Sequence, residues 1–93
     1  MKKTENSTIT REVNLAFARA RRAEIAVLRL GRDHNTTNDE YCEAQRDAAE
    51  KRALYNGMDY LASMLGVNVE FDALSESLDH EYWDLFFSRA KNE

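Results

Sequence analysis

Proline is absent from this chain of 93 residues, and that absence restricts its fold more than any other feature. At average usage, about four or five prolines would be expected in a chain of this length. Because proline breaks helices and glycine weakens them, a chain with no proline and only three glycines favours long uninterrupted helices. A chain this short forms one domain. We therefore predict a single all-α domain over residues 1–93.

The first helix is predicted over about 10–30, with Thr8 or Thr10 as its N-cap. Its apolar residues recur at alternating spacings of four and three, which is a heptad seam. They are Ile9, Val13, Ala16, Ala20, Ala23, Val27 and Leu30. Residues 1–8 are polar and are predicted to form a flexible arm. Gly31 is predicted to lie just past the helix end.

A capping box predicts the start of a second helix, over 38–65, with Thr37 as N-cap and Glu40 three residues later. Its apolar face consists of Tyr41, Ala44, Ala48, Tyr55, Met58, Ala62 and Leu65. The turn-forming pair Asn56-Gly57 leaves two alternatives, one continuous helix or two helices joined there, and the unbroken apolar register favours one. Gly66 is predicted to stop the helix. The short polar loop before Thr37 predicts that the two helices form an antiparallel hairpin.

The C-terminal third is predicted to pack on this hairpin. An extended connector places Val67, Val69 and Phe71 against it, and a helical region covers about 73–90, with an alternative break at Asp79. The residues predicted to face the hairpin are Leu78, Tyr82, Leu85 and Phe86. The predicted fold is therefore a small three-helix bundle.

The net charge of −4 conceals a gradient along the chain. Residues 1–32 carry +5, residues 33–69 carry −4 and residues 70–93 carry −5. A weakly acidic whole disfavours non-specific nucleic-acid binding as the main role. No apolar run approaches the about 20 residues of a membrane-spanning helix, and the N-terminus lacks the apolar core of a signal peptide. The single cysteine fits a reducing compartment, so we expect a cytoplasmic protein with no membrane contact.

A mixed stripe of arginine and apolar residues lies opposite the seam of the first helix. We predict that it binds a partner through Arg11, Leu15, Arg22, Ile25 and Arg29. Arg favours interfaces because its guanidinium forms bidentate hydrogen bonds. Two alternatives stay open: the acidic C-terminal helix covers the stripe, or Arg11, Arg19, Arg22 and Arg29 bind the phosphates of a nucleotide or nucleic acid.

The last helix carries two further candidates for partner binding, Trp83 and Phe87, which project away from the predicted core line. They are either partner anchors or part of the core, since Trp and other aromatics dominate interface hot spots. The helix is also acidic. A third alternative is that it mimics nucleic acid through Asp72, Glu76, Asp79, Glu81 and Asp84.

No catalytic motif, metal-binding spacing or cofactor fingerprint is present. Glu76, His80 and Asp84 recur every four residues, but such sets are common on solvated helices, and we predict no metal. Cys42 is predicted to be a small buried hydrophobe without reactivity.

The second helix has another apolar stripe, formed by Cys42, Ala49, Ala53, Tyr60 and Met64. Three helices cannot cover all of these faces, so a homo-oligomer is predicted, most simply a twofold dimer. In size, lack of proline and charge gradient, the chain resembles small helical proteins encoded by phages and mobile elements. We expect a non-enzymatic inhibitor or adaptor that binds another protein.

Overall fold

The computed structural model describes the backbone of residues 3–92 and the side chains of residues 6–88. Three helices follow one another: α1 (Lys3–Arg32), α2 (Asn38–Met64) and α3 (Ala73–Asn92). α1 and α2 form an antiparallel hairpin, and α3 packs against α1. The predicted all-α three-helix bundle is confirmed. Within the described residues, every helix is too short or too polar to cross a membrane.

α1 begins earlier and ends later than the sequence predicted. Its helical backbone starts at Lys3, so residues 3–8 of the predicted flexible arm are helical. Residues 1 and 2 lie outside the described backbone. The segment contains neither proline nor glycine, so nothing in it stops a helix from extending. At the other end, Gly31 lies inside the helix without a positive φ, and the prediction that it ends α1 is wrong.

Small side chains hold the hairpin together. Val13, Ala16 and Ala20 of α1 are buried, as are Ala48 and Ala62 of α2. Because alanine side chains are small, the two backbones can lie close together and exclude water along the seam. The alanine-rich faces predicted for both helices are therefore confirmed.

α2 is one continuous helix through Asn56-Gly57, as the unbroken register favoured. The hydroxyl of Thr37 accepts a hydrogen bond of 3.1 Å from the backbone N–H of Glu40, which confirms the predicted N-cap. At the C-terminal end, Gly66 adopts a φ of +75°, a conformation that suits glycine, and it stops the helix as predicted. Leu65 was predicted on the buried face but is exposed, because it already belongs to the terminal turn.

The connector after α2 packs onto the hairpin as predicted. Val67 is buried in one cluster with Val13 and Ala62, and Val69 packs against that cluster. The ring of Phe71 lies 4.2 Å, centroid to centroid, from the ring of Phe17. These contacts fix the path of the chain between α2 and α3.

A buried asparagine of α1 determines where α3 begins. The Asn14 side chain donates to the carbonyl of Glu70 and accepts from the backbone N–H of Asp72, both at 2.9 Å. The Asp72 carboxylate in turn accepts from the backbone N–H of Ser75 at 2.8 Å and caps α3. α3 then continues without a break, so the alternative break at Asp79 is wrong.

α3 runs alongside α1 in the same direction, since its contacts advance with those of α1. Ser75 bonds to Asn14, and Asp79 farther along bonds to Arg21. Among the described residues, α2 and α3 have no pair of Cα atoms within 8 Å. A cleft with α1 as its floor therefore separates them, and it leaves one side of α3 uncovered.

Candidate functional site

Four aromatic side chains form a cluster on the uncovered side of α3. Tyr82, Trp83, Phe86 and Phe87 occupy positions i, i+1, i+4 and i+5, which are neighbours on a helix surface. The Trp83 ring lies 5.6 Å from Phe86 and 5.9 Å from Phe87, centroid to centroid. Trp83 is 41% exposed, Phe86 43% and Phe87 55%. This set, the aromatic cluster, is a contiguous apolar surface on the outside of the molecule.

The structure corrects one residue of the predicted core line. Leu78, Tyr82 and Leu85 are half-buried, but Phe86, predicted to face the hairpin, is exposed. The reason is the cleft: α2 does not reach α3, so the side of α3 that carries Phe86 has no helix against it.

Arg21 joins the aromatic cluster to α1. Its guanidinium carbon lies 4.2 Å from the centre of the Tyr82 ring and 5.6 Å from that of Trp83, within the range of cation–π attraction. The same guanidinium forms an ion pair of 2.9 Å with Asp79, one helical turn before Trp83. Since the Arg21 side chain is only 14% exposed, these contacts are poorly screened by water and orient the inner side of the cluster.

A second half-buried arginine, Arg52, extends this network to α2. Glu24 of α1 forms ion pairs with Arg21 at 2.9 Å and with Arg52 of α2 at 2.6 Å. The hydrogen bonds that Arg52 donates to the Glu24 carboxylate raise the pKa of Arg52, against an opposing effect of partial burial. Burial raises the pKa of Tyr55, and the charge of Asp59 adds to that rise. The floor of the cleft is therefore a fixed array of charges, with an acidic residue between two guanidinium groups.

The predicted arginine stripe of α1 is divided between two environments. Ile25 is buried, and Arg29 forms an ion pair of 2.8 Å with Glu81 of α3, so the acidic helix covers this part of the stripe. Arg11, Leu15 and Arg22 remain exposed. Within the described side chains, neither Arg11 nor Arg22 has a carboxylate within 4.0 Å. The five residues therefore do not form one continuous surface.

The predicted acidic surface of α3 is also divided. Asp72 caps the helix, while Asp79 and Glu81 bind arginines of α1. Glu76 and Asp84 are both exposed, and the Asp84 carboxylate lies 3.4 Å from Nε2 of His80. Three of the five carboxylates therefore already cap the helix or bind arginines of α1, which weakens the interpretation of this helix as a nucleic-acid mimic.

Sequence reasoning missed the residues that hold α3 in place. They are Asn14 and Arg21, and Glu24 holds Arg21 and joins it to Arg52 of α2. Arg21 and Glu24 are three residues apart and of opposite charge, which was a visible signal for a local ion pair. The partners of Asn14 at the start of α3, Glu70 and Asp72, are more than 50 residues away in sequence, and nothing local indicated them.

Cys42 was predicted to be buried and is exposed, because its stripe of α2 faces away from α1. Among side chains 6–88, no three His, Cys, Asp or Glu residues lie close enough together to hold a metal ion. The chain matches no protein-family model, no curated protein and no solved structure.

Proposed function

We propose that the chain is a non-enzymatic protein-binding module, an inhibitor or adaptor, and that the aromatic cluster of α3 is its contact surface. The observation that carries the proposal is the exposure of three large rings side by side. An aromatic side chain presents about 150–250 Å² for burial, so Trp83, Phe86 and Phe87 together leave roughly 300 Å² open. That is the size of the largest apolar patch on an ordinary monomer, and such patches are often functional.

The cluster is suited to binding because its inner side is already ordered. Each ring lies against at least one other, and Tyr82 lies on the half-buried guanidinium of Arg21. Rings that are held before contact lose less conformational entropy on binding, which leaves more of the contact energy for affinity. Exposed carboxylates of Glu76 and Asp84 belong to the same helix. We therefore expect the partner to present an apolar pocket with basic residues at its rim.

The test compares truncation of the cluster with truncation of an exposed ring elsewhere. Immobilised protein first recovers a binding protein from the native host, and that protein is then purified for titration. Phe87→Ala and Trp83→Ala should each raise the Kd by about 30-fold, which corresponds to a hot-spot loss of about 2 kcal/mol. Tyr60→Ala, at an exposed ring on α2, is the matched control and should leave the Kd unchanged.

Circular dichroism of all three variants checks that folding is retained. Trp83 provides a second readout as the chain's only tryptophan, since partner binding should shield it from a soluble quencher. Normal affinity of both cluster variants, or an equal loss in Tyr60→Ala, would show that the cluster is not the contact surface.

Nucleic-acid binding through α1 is a second candidate. Arg11, Arg19 and Arg22 are exposed, and within the described side chains none of them has a carboxylate within 4.0 Å. If they bind phosphates, affinity for an oligonucleotide should fall steeply as salt rises, with a slope set by the number of contacts. Absence of binding at low salt would exclude this candidate.

A further inference from the structure

A groove of about 510 Å³ runs between α1 and α3, on the side where Arg29 meets Glu81. We call it the α1–α3 groove. Its apolar floor includes Ile25, Ala26 and Leu78, of which Ile25 is buried, Leu78 half-buried and Ala26 exposed. None of the described residues that line it belongs to the aromatic cluster. The groove is therefore a second surface of the molecule.

Two arginines of α1 stand at the rim of this groove. Arg22 and Arg29 are both exposed, and they lie seven residues, or about 10 Å, apart along the helix. Residues at this spacing share one face of a helix. Ile25 and Ala26 lie between them in the sequence. The groove therefore has a cation near each end and apolar surface in the middle.

The two cations differ in how far they are neutralised. Within the described side chains, Arg22 forms no ion pair. Arg29 donates from Nη2 to Glu81 at 2.8 Å, but the Arg29 side chain is 63% exposed, and a guanidinium has further N–H donors. An exposed ion pair of this kind contributes little to stability, so an incoming carboxylate can share Arg29 or displace Glu81. With two guanidinium groups against one carboxylate, the rim attracts an anion.

We propose that the α1–α3 groove binds an acidic amphipathic helix of a partner protein. The bound helix carries two carboxylates seven residues apart and an apolar side chain midway between them. The carboxylates bind Arg22 and Arg29, and the apolar side chain packs on Ala26 and Leu78. Because the aromatic cluster takes no part in this contact, the groove does not depend on the proposed function of that cluster.

The arrangement of charge and apolar surface favours this occupant over other anions. A nucleic acid presents phosphates without apolar groups between them, so it would leave the floor of the groove uncovered, and Glu81 would repel it. An anion with one charged end, such as a fatty acid, would pair with only one of the two arginines. An acidic helix of the stated pattern matches both arginines and the floor at the same time.

Fluorescence anisotropy with a labelled synthetic peptide tests the proposal. The probe consists of three Glu-Ala-Ala-Leu-Ala-Ala-Ala repeats, which place a glutamate every seven residues and a leucine on the same face of the helix. The control peptide has the same composition in three Glu-Ala-Leu-Ala-Ala-Ala-Ala repeats, which turn the leucines to the opposite face. The unmodified protein should bind the probe saturably and the control peptide at least about tenfold more weakly.

Charge variants of the protein locate the binding. Arg22→Glu and Arg29→Gln should each raise the Kd for the probe by about tenfold or more, because each removes one of the two cations. Glu81→Gln should lower the Kd, since it removes the carboxylate that competes for Arg29. Arg19→Glu, at an exposed arginine of α1 that does not line the groove, is the matched control and should change the Kd by less than about twofold at physiological salt. Circular dichroism of the four variants checks that folding is retained.

Several outcomes would overturn the proposal. Absence of probe binding, or equal binding of the two peptides, would show that the groove does not recognise the pattern. Equal losses in Arg22→Glu and Arg19→Glu would show attraction to the positive charge of α1 as a whole, and binding of an oligonucleotide in place of the probe would assign the arginines to a nucleic acid. A dimer in light scattering that is lost in Arg22→Glu would assign the groove to a second copy. Phe87→Ala should bind the probe normally, so failure of the groove and failure of the aromatic cluster are distinguishable.

Discussion

The two interfaces of α1 differ in what holds them together. Against α2, α1 presents Val13, Ala16 and Ala20, which are buried and apolar. Against α3, it presents Asn14 and Arg21, whose partners are backbone groups, a carboxylate and aromatic rings. α1 therefore packs on α2 mainly by close apolar contact, with the Glu24–Arg52 ion pair beside it, and on α3 through buried Ile25 together with polar and cation–π contacts.

This difference predicts unequal robustness. Apolar contact is non-directional and tolerates small shifts, whereas hydrogen bonds and ion pairs require defined geometry. The hairpin should therefore behave as the stable part of the molecule. α3 should respond more sharply to salt and to single polar substitutions, and its aromatic cluster with it.

Replacement of Phe17 by Ala should have the largest effect on stability, because this buried ring packs against both α2 and the connector that leads into α3. Phe17 is 2% exposed and lies 5.2 Å from Tyr55 and 4.2 Å from Phe71, centroid to centroid. We expect a loss of about 3–5 kcal/mol in the free energy of unfolding, measured by urea denaturation. Phe87→Ala is the control and should lose less than about 1 kcal/mol because its ring is exposed. Equal losses would contradict the assignment of Phe17 to the core.

Asn14→Ala should have the next largest effect, and it acts on the α3 side alone. The substitution leaves the carbonyl of Glu70 and the N–H of Asp72 without the partners they have in the folded chain. An unsatisfied buried polar group costs about 1–3 kcal/mol, so we expect a total loss of about 2–4 kcal/mol. Hydrogen exchange should show faster opening of α3 than of α2. A uniform increase in both helices would mean that Asn14 does not act on α3 in particular.

Arg21→Met should have a smaller effect on the free energy of unfolding. It tests the ion pair that joins α1 to α3. The substitution keeps much of the side chain but removes the charge that binds Asp79 and Glu24. We expect the free energy of unfolding to fall by about 1–2 kcal/mol. Breaking a fully buried ion pair costs about 3–5 kcal/mol, but Asp79 is 33% exposed, so the loss here should be smaller. A double-mutant cycle with Asp79→Asn should give a coupling of about 1 kcal/mol.

The matched control for that cycle is the exposed pair Arg29–Glu81. Its coupling should be smaller than that of Arg21–Asp79, because water and salt screen it. If the two couplings are equal, burial does not distinguish the pairs.

The sequence predicted the hairpin better than it predicted the docking of α3, and the reason is physical. Apolar periodicity shows which face of a helix is buried. The buried face of α1, which includes Val13 and Ala20, could therefore be predicted from that segment of the sequence alone. The capping of α2 by Thr37 was visible for the same reason, since it involves residues three apart. Extension of α1 to Lys3 was not visible, because helix propagation into a polar segment leaves no apolar pattern.

The candidate site was only partly predictable. The exposed rings of Trp83 and Phe87 were recognised, because they lie away from the line of Leu78 and Leu85. Phe86 was assigned to the core because periodicity shows which residues share a face but not whether a neighbouring helix reaches that face. Arg21 was overlooked for a related reason: its partners on α3 are set by the tertiary arrangement.

The smallest predicted effect concerns pH and the hairpin side of Phe17. Burial raises the pKa of Tyr55 above its ordinary value of 10.0, so the folded protein holds the phenol proton more tightly than the unfolded chain does. Stability from this group is therefore complete below about pH 10 and is lost as pH rises through the folded-state pKa.

Urea midpoints measured from about pH 8 to about pH 11 should fall less steeply in Tyr55→Phe than in the unmodified protein. Tyr60→Phe is the control, because it removes a phenol that is already exposed in the folded protein. Identical slopes in Tyr55→Phe and the unmodified protein would show that Tyr55 ionises as readily in the folded chain as in the unfolded one. Its phenol would then be open to water, and the hairpin looser at Tyr55 than its contact with Phe17 indicates.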